Sequence, residues 1–199
     1  MIAGPSEVCC VADGSANPKW IAADLLSQAE HDPRAAVFLI TPDKDFGLAV
    51  QKEMEKQMKE LSRYEIMKSS VDQYAKAFLC KDAEQCFDIV NKIAPEHLEV
   101  ELPDPKKYLP LIYNAGAIFL GKYTSEPIGD YMAGPNHTLP TSGTAAFSSP
   151  LGVYDFVKHS SVECYSEEAF RKISKKVQLF AKAEGLTAHA HAMEVRDED

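Results

Sequence analysis

EVCCVADGSANPKWIAADLLSQAEHDPRAAVFLIT, residues 7–41, sets the architecture. It opens on a short apolar run, EVCCVAD (7–13), closed by Gly14, which reads as a buried strand. Asn17-Pro18 then starts a helix. The Asn side chain can accept from the unpaired N–H groups of the first turn, and a proline at the first helical position gives up an N–H that would have no partner there. The helix runs to about His31 and stops before Pro33, whose ring disfavours helical backbone at the preceding residue. AAVFLIT (35–41) is a second apolar run and a second strand.

The same alternation continues outward. Pro42 to Leu61 reads as a long helix with Phe46, Val50, Met54, Met58 and Leu61 on one stripe, the methionines filling core rather than holding a cofactor. AKAFLC (75–80) is a third strand and AEQCFDIVNKI (83–93) a third helix. HLEVEL (97–102) and AGAIFLG (115–121) add two strands. Strands alternating with helices at this spacing predict an α/β fold, a Rossmann-like and mostly parallel sheet flanked by helices. After about residue 150 the strands end. Ser166 caps a helix carrying Phe170, Ile173, Val177 and Phe180 on one face, and a short helix starts at Thr187. The expected organisation is an α/β domain over 1–153 and a C-terminal helical appendage over 154–199.

The chain's 199 residues suffice for one domain with a real core, with 45% hydrophobic and 26% charged residues. A net charge of −9 argues against nucleic acid and anionic membrane as partners. No apolar stretch reaches the roughly 18 residues of a membrane span, and MIAGPSEVCCVAD lacks the regions of a signal peptide. The five cysteines form no CxxC pair and read as reduced thiols in a cytoplasmic protein. Neither GxGxxG nor GxxxxGK[ST] occurs, so the usual phosphate cradles are missing.

Chemistry-bearing residues are spread along the chain. Gln28 and His31, three apart, share one helical face and could share a metal ion. His31 could equally be an imidazole placed at the negative end of a helix dipole. Glu96 and His97 are a natural proton-moving pair near neutral pH. They fall at the start of a strand, however, and ligands of open α/β sheets usually bind at the opposite ends. Adjacent strand residues also face opposite sides, so both reach one pocket only through a kinked entry. SEPIGDYMAGPNHTLPTSGTAAFSS (125–149) has no run of either period and reads as a long loop, either functional or disordered. Gly129 and Gly134 there allow close backbone approach, beside Asp130 and His137. Glu184, His189 and His191 lie near the C-terminus. Gln, His, Asp and His together would suit zinc or a similar divalent ion, though spacing alone does not assemble them.

Taken in order, AGPSEV (3–8), ADLLSQAEH (23–31), APEHLE (94–99), AGAIFLG (115–121), GDYMAGPNHTLPTSGTAAFSS (129–149) and LTAHAHA (186–192) resemble histidinol dehydrogenase over essentially the whole chain. The resemblance implies oxidation of L-histidinol through histidinal to L-histidine, the last two steps of histidine biosynthesis, with two NAD+ and one zinc. It implies Gln28, His31, Asp130 and His189 as zinc ligands and Glu96 and His97 as the catalytic acid/base residues. Ser6, His137 and Glu184 join the zinc ligands and His97 in contacting substrate, and His191 receives no role. It further implies a homodimer in which the C-terminal segment, with Glu184 and His189, completes the partner's site. Members of the family are about twice as long, and the match begins in their middle. The NAD-contacting residues are therefore expected in the half not represented, and a truncated, inactive zinc- and histidinol-binding module is the alternative reading.

Overall fold

The computed structural model describes residues 2–198, which form two compact units that meet between Phe156 and Val157 in the chain. In the first unit, five strands pair in the order β3-β2-β1-β4-β5: β1 (Glu7–Ala12), β2 (Ala36–Thr41), β3 (Lys76–Leu79), β4 (His97–Glu101) and β5 (Ala117–Leu120). All four pairings are parallel. The fold is thus α/β, and the sheet is parallel throughout the described residues.

Alternation along each strand splits the core into two layers. Val8, Cys10 and Ala12 of β1 face helix α1 (Pro18–Ala29), with Phe46 and Val50 of α2 (Lys44–Gln57) and Met67 of α3 (Tyr64–Tyr74) in the same layer. Cys9 and Val11 face α4 (Ala83–Ile93), packed with Phe87, Val90, Leu98 and Val100. All five cysteines are free; Cys9, Cys10, Cys80 and Cys86 are buried and Cys164 is exposed.

Asn17 caps α1 as expected, accepting from the Lys19 N–H at 3.0 Å. Three elements differ from the sequence reading. The long helix expected over 42–61 is shorter: Asp43 caps it by accepting from Asp45 and Phe46, leaving Pro42 outside, and a 3-10 turn at Met58–Glu60 ends it. Its stripe holds as far as Met58, while Leu61 is exposed. The helix α3 was not anticipated; it buries only Met67 and Ser70, and the Ser70 hydroxyl donates to the Ala35 carbonyl at 2.8 Å. So narrow an apolar stripe gives little periodic signal. The presumed loop at 125–149 contains a short helix, α5 (Glu126–Tyr131), and a 3-10 turn at Thr144–Ala146.

The second unit is a helical hairpin of α6 (Glu167–Ala183) and α7 (Thr187–Asp197), turning at Gly185 with φ +75°. Asp197 Oδ2 ties the pair, accepting from Ser174 Oγ at 2.8 Å and Gln178 Nε2 at 2.7 Å. Ser166 caps α6 as expected, but Phe180 is exposed, because the face packed inward carries Ser174, Gln178 and Ala181. No helix among the described residues is long and apolar enough to cross a membrane.

Candidate active site at the N-terminal edge of the sheet

Ser6, Gln28, His31, Glu96, His97, Asp130, Tyr131 and His137 line one cavity of about 530 Å³. It lies where β1 and β4 begin, opposite to the crevice that parallel sheets usually offer. At that other edge the polar groups already have partners. Asp13 accepts from the backbone and hydroxyl of Ser15, and Asn17 caps α1. A side chain on Gly14 would meet Asp43 Oδ2 at 2.7 Å. An acidic turn filled in this way does not fit a pyrophosphate.

The entry to β4 is kinked, which is the condition for Glu96 and His97 to share a pocket. Ala94 ends α4 in the left-handed region (φ +50°), its N–H bonded to the Val90 carbonyl, not in the extended region that Pro95 favours. A non-glycine residue there costs about 1–2 kcal/mol. Strain of this kind persists only where surrounding contacts over-determine it. Those contacts are present: Gly116 and Ala117 donate to the carbonyls of Pro95 and Glu96 at 2.9 and 2.8 Å. A Cβ on Gly116 would stand 2.5 Å from the Glu96 carbonyl oxygen, so only glycine permits this approach.

His97 is oriented by its backbone neighbour. Its Nδ1 lies 3.0 Å from the carbonyl oxygen of Glu7. A carbonyl can only accept, so the ring proton sits on Nδ1 and Nε2 keeps its lone pair. Nε2 is buried without a hydrogen-bond partner, 3.8 Å from Glu126 Oε1 and 3.9 Å from Asp130 Oδ1. Burial lowers the imidazole's pKa, more than offsetting the Glu7 carbonyl and the Asp130 charge. The result is a neutral base aimed into the cavity.

Glu96 takes the complementary state. Burial raises its carboxyl to about 7, with the neighbouring Glu7 and Asp130 charges adding to the rise and bonds from the Glu7 N–H and Ser6 opposing it. The Glu7 N–H donates to Oε2 at 2.9 Å. Gln28 is almost fully buried on α1, with Oε1 unpartnered. His31 lies just beyond the helix, in a turn after the capping Glu30, and is exposed. His137 is also exposed.

Asp130 sits on α5, not in irregular loop. The sequence reading missed Glu126, one turn earlier on the same helix and 2% exposed. The signal was present as Glu126 and Asp130 four apart, but a six-residue helix interrupted by Gly129 shows no apolar period. Burial, then the nearby Asp130 carboxylate, raises Glu126 to about 8. Ligand atoms of His97, Glu126 and Asp130 lie within 4.8 Å of one another. Gln28 Oε1, left without a partner, lines the same cavity as His31 and Asp130, a mixed N/O donor set that fits zinc. The cavity is lined by the first unit alone. Glu184, His189 and His191 are exposed on the second unit.

Gly129 lets α5 lie close to the sheet: a Cβ there would stand 2.6 and 2.7 Å from the Phe119 ring, which itself packs against His97. Alanine gains up to about 1 kcal/mol in helix propensity, whereas forcing a methyl into a tight contact costs about 1–3 kcal/mol. Gly129→Ala is therefore expected to destabilise the chain by about 1 kcal/mol in urea denaturation. An equally or more stable variant would show that the Phe119 ring yields freely.

A family model for histidinol dehydrogenase matches residues 1–197. The chain belongs to the histidinol dehydrogenase family. Among curated relatives, histidinol dehydrogenase of Aquifex aeolicus is 53% identical over 199 residues, all of this chain and 47% of its own length. That of Listeria monocytogenes is 54% identical with the same coverage. The crystal structure of histidinol dehydrogenase from Elizabethkingia anophelis superposes with a TM-score of 0.92 at 37% identity, covering 100% of this chain and 46% of that one. The chain thus spans about half the length of the histidinol dehydrogenases it matches.

Proposed function

We propose that this chain is the zinc- and substrate-binding half of an enzyme that oxidises L-histidinol through histidinal to L-histidine. The observation that carries the reading is the neutral, unpartnered Nε2 of His97, aimed into a cavity it shares with Gln28, His31, Glu96 and Asp130. Gln28, His31, Asp130 and His189 would hold zinc, which would fix the amino and hydroxyl groups of the substrate and polarise its C–O bond. Ser6 and His137 of the cavity wall, and Glu184, contact the substrate in this reading. Glu184 and His189 serve a partner subunit's cavity, which makes the active form a homodimer in the cytoplasm.

His97 accepts the hydroxyl proton as the carbinol carbon gives up its hydride, which in this reading goes to NAD+. The proton arrives on Nε2, and the Nδ1–H bond to the Glu7 carbonyl keeps the resulting imidazolium in place. Glu96, ionised above about pH 7, then removes a proton from the water that attacks the aldehyde. In this reading the hydrate gives the second hydride to a second NAD+ and, losing its two hydroxyl protons, becomes the carboxylate. Burial serves both groups, holding His97 neutral and Glu96 basic enough to take a proton near neutral pH.

One observation favours a second reading. The turn from β1 to α1 does not fit a pyrophosphate. A module that keeps zinc and histidinol but performs no redox step has the same cavity. Two measurements separate the possibilities. The chain should bind one zinc, and His31→Ala should lose it with the fold intact. NADH formation from L-histidinol and NAD+ should follow when the chain is fused behind the N-terminal half of the Aquifex aeolicus relative. Zinc binding without turnover in that fusion would leave the binding module; no zinc at stoichiometric level would sink both readings.

A further inference from the structure

Glu99 lies two residues along β4 from His97 and so faces the same side of the sheet. It is 1% exposed. Its Oε1 accepts the N–H of Glu126 at 2.7 Å, and the Cys10 thiol reaches its Oε2 at 3.1 Å. Glu126 is the first residue of α5, and Ser125, at the N-cap position, makes no side-chain cap bond. The strand thus supplies the acceptor that an N-cap residue normally carries. A carboxylate also suits the positive end of a helix.

Six residues do not hold a helix by themselves, because nucleation is costly. The position of α5 therefore depends on its tertiary anchors. One end is fixed by Glu99, and the middle rests on the Phe119 ring at Gly129. What α5 carries is Glu126 and Asp130, one turn apart, with their carboxylates just under 4 Å from His97 Nε2. Cys10 in turn fixes Glu99 from β1, the strand that also supplies the Glu7 carbonyl to His97.

We propose that Glu99 is a positioning residue for the active site, setting the height and rotation of α5, and hence of Asp130, by capping the helix from inside the sheet. The inference rests on the reading of Asp130 as a zinc ligand.

The test compares Glu99→Ala and Glu99→Gln in the full chain. Amide exchange at Glu126, zinc affinity by chelator competition, and the melting temperature are read together. Glutamine keeps an oxygen for the Glu126 N–H; alanine removes it. Glu99→Ala is expected to lose protection at the Glu126 amide and to weaken zinc binding by about tenfold, as loss of a group supporting a ligand does. Glu99→Gln is expected to keep the amide protected and to stay within about threefold of the parent in zinc affinity. A purely structural role would lower the melting temperature of Glu99→Ala while leaving the folded protein's zinc affinity unchanged, and that result overturns the proposal. Should Glu99→Ala fail to fold, Glu99→Gln decides: an unprotected Glu126 amide, or a tenfold loss of zinc affinity, overturns it. A parent chain that binds no zinc would defeat the metal-site reading alone, since the Glu126 amide still reports on the cap.

Discussion

His97→Asn is expected to lower the rate of histidinol oxidation by about 10²–10⁴-fold, the range that a positioned proton acceptor contributes. The substitution is selective. An asparagine amide can still donate to the Glu7 carbonyl in place of Nδ1, so the backbone acceptor keeps a partner and the entry to β4 keeps its shape. What disappears is the lone pair of Nε2, which the structure leaves buried and unpartnered in the cavity. Because burial lowers the pKa of His97, the parent should keep its neutral, accepting form at and below neutral pH, and the first oxidation should depend only weakly on pH above that. Rates measured as NADH formation on the active fusion, with zinc content checked in parallel, give the answer. A variant within a few-fold of the parent at equal zinc content would remove His97 from the role of base.

Glu96→Gln should instead divide the reaction. The first oxidation does not need a base for water, whereas attack on the aldehyde does. NADH formed per histidinol consumed should fall from two toward one, and an aldehyde should accumulate that a hydrazine or semicarbazide traps. The second step should slow by about 10²–10⁴-fold. Glutamine keeps an oxygen to accept the Glu7 N–H, so the local backbone survives. The pH dependence has a definite sign. The carboxyl of Glu96 is raised to about 7, and only its ionised form accepts a proton. In the parent, the second oxidation should therefore rise with pH through about 7, and in Glu96→Gln that rise should vanish. Unchanged stoichiometry in the variant would assign the activation of water to another group.

How the site is built explains which of its parts the sequence disclosed. Residues 7–41 determined the βαβ unit because apolar runs, an Asn-Pro helix start and a proline stop act over a few neighbours, and local rules suffice for them. Gln28 and His31, and Glu96 and His97, were conspicuous as close pairs of reactive types. Motif strings identified the family, because strings of six to about twenty residues carry far more information than spacing. The helix α3, the short α5 and the exposure of Phe180 and Leu61 were not legible in the same way. Each depends on which face meets a neighbour, which no window of sequence contains. Tertiary structure alone decided that Ala94 turns left-handed, so that Glu96 and His97 enter one cavity. It alone decided that His97 carries its proton on Nδ1, through a carbonyl 90 residues away. Glu126, and the cap that Glu99 places on its helix, likewise emerge only when β4, α5 and β1 are brought together. Sequence reading alone settled the chemistry available and the order of the strands and of most of the helices. Orientation, protonation and support belong to contacts between segments far apart in the chain, because hydrogen bonds and burial act through space.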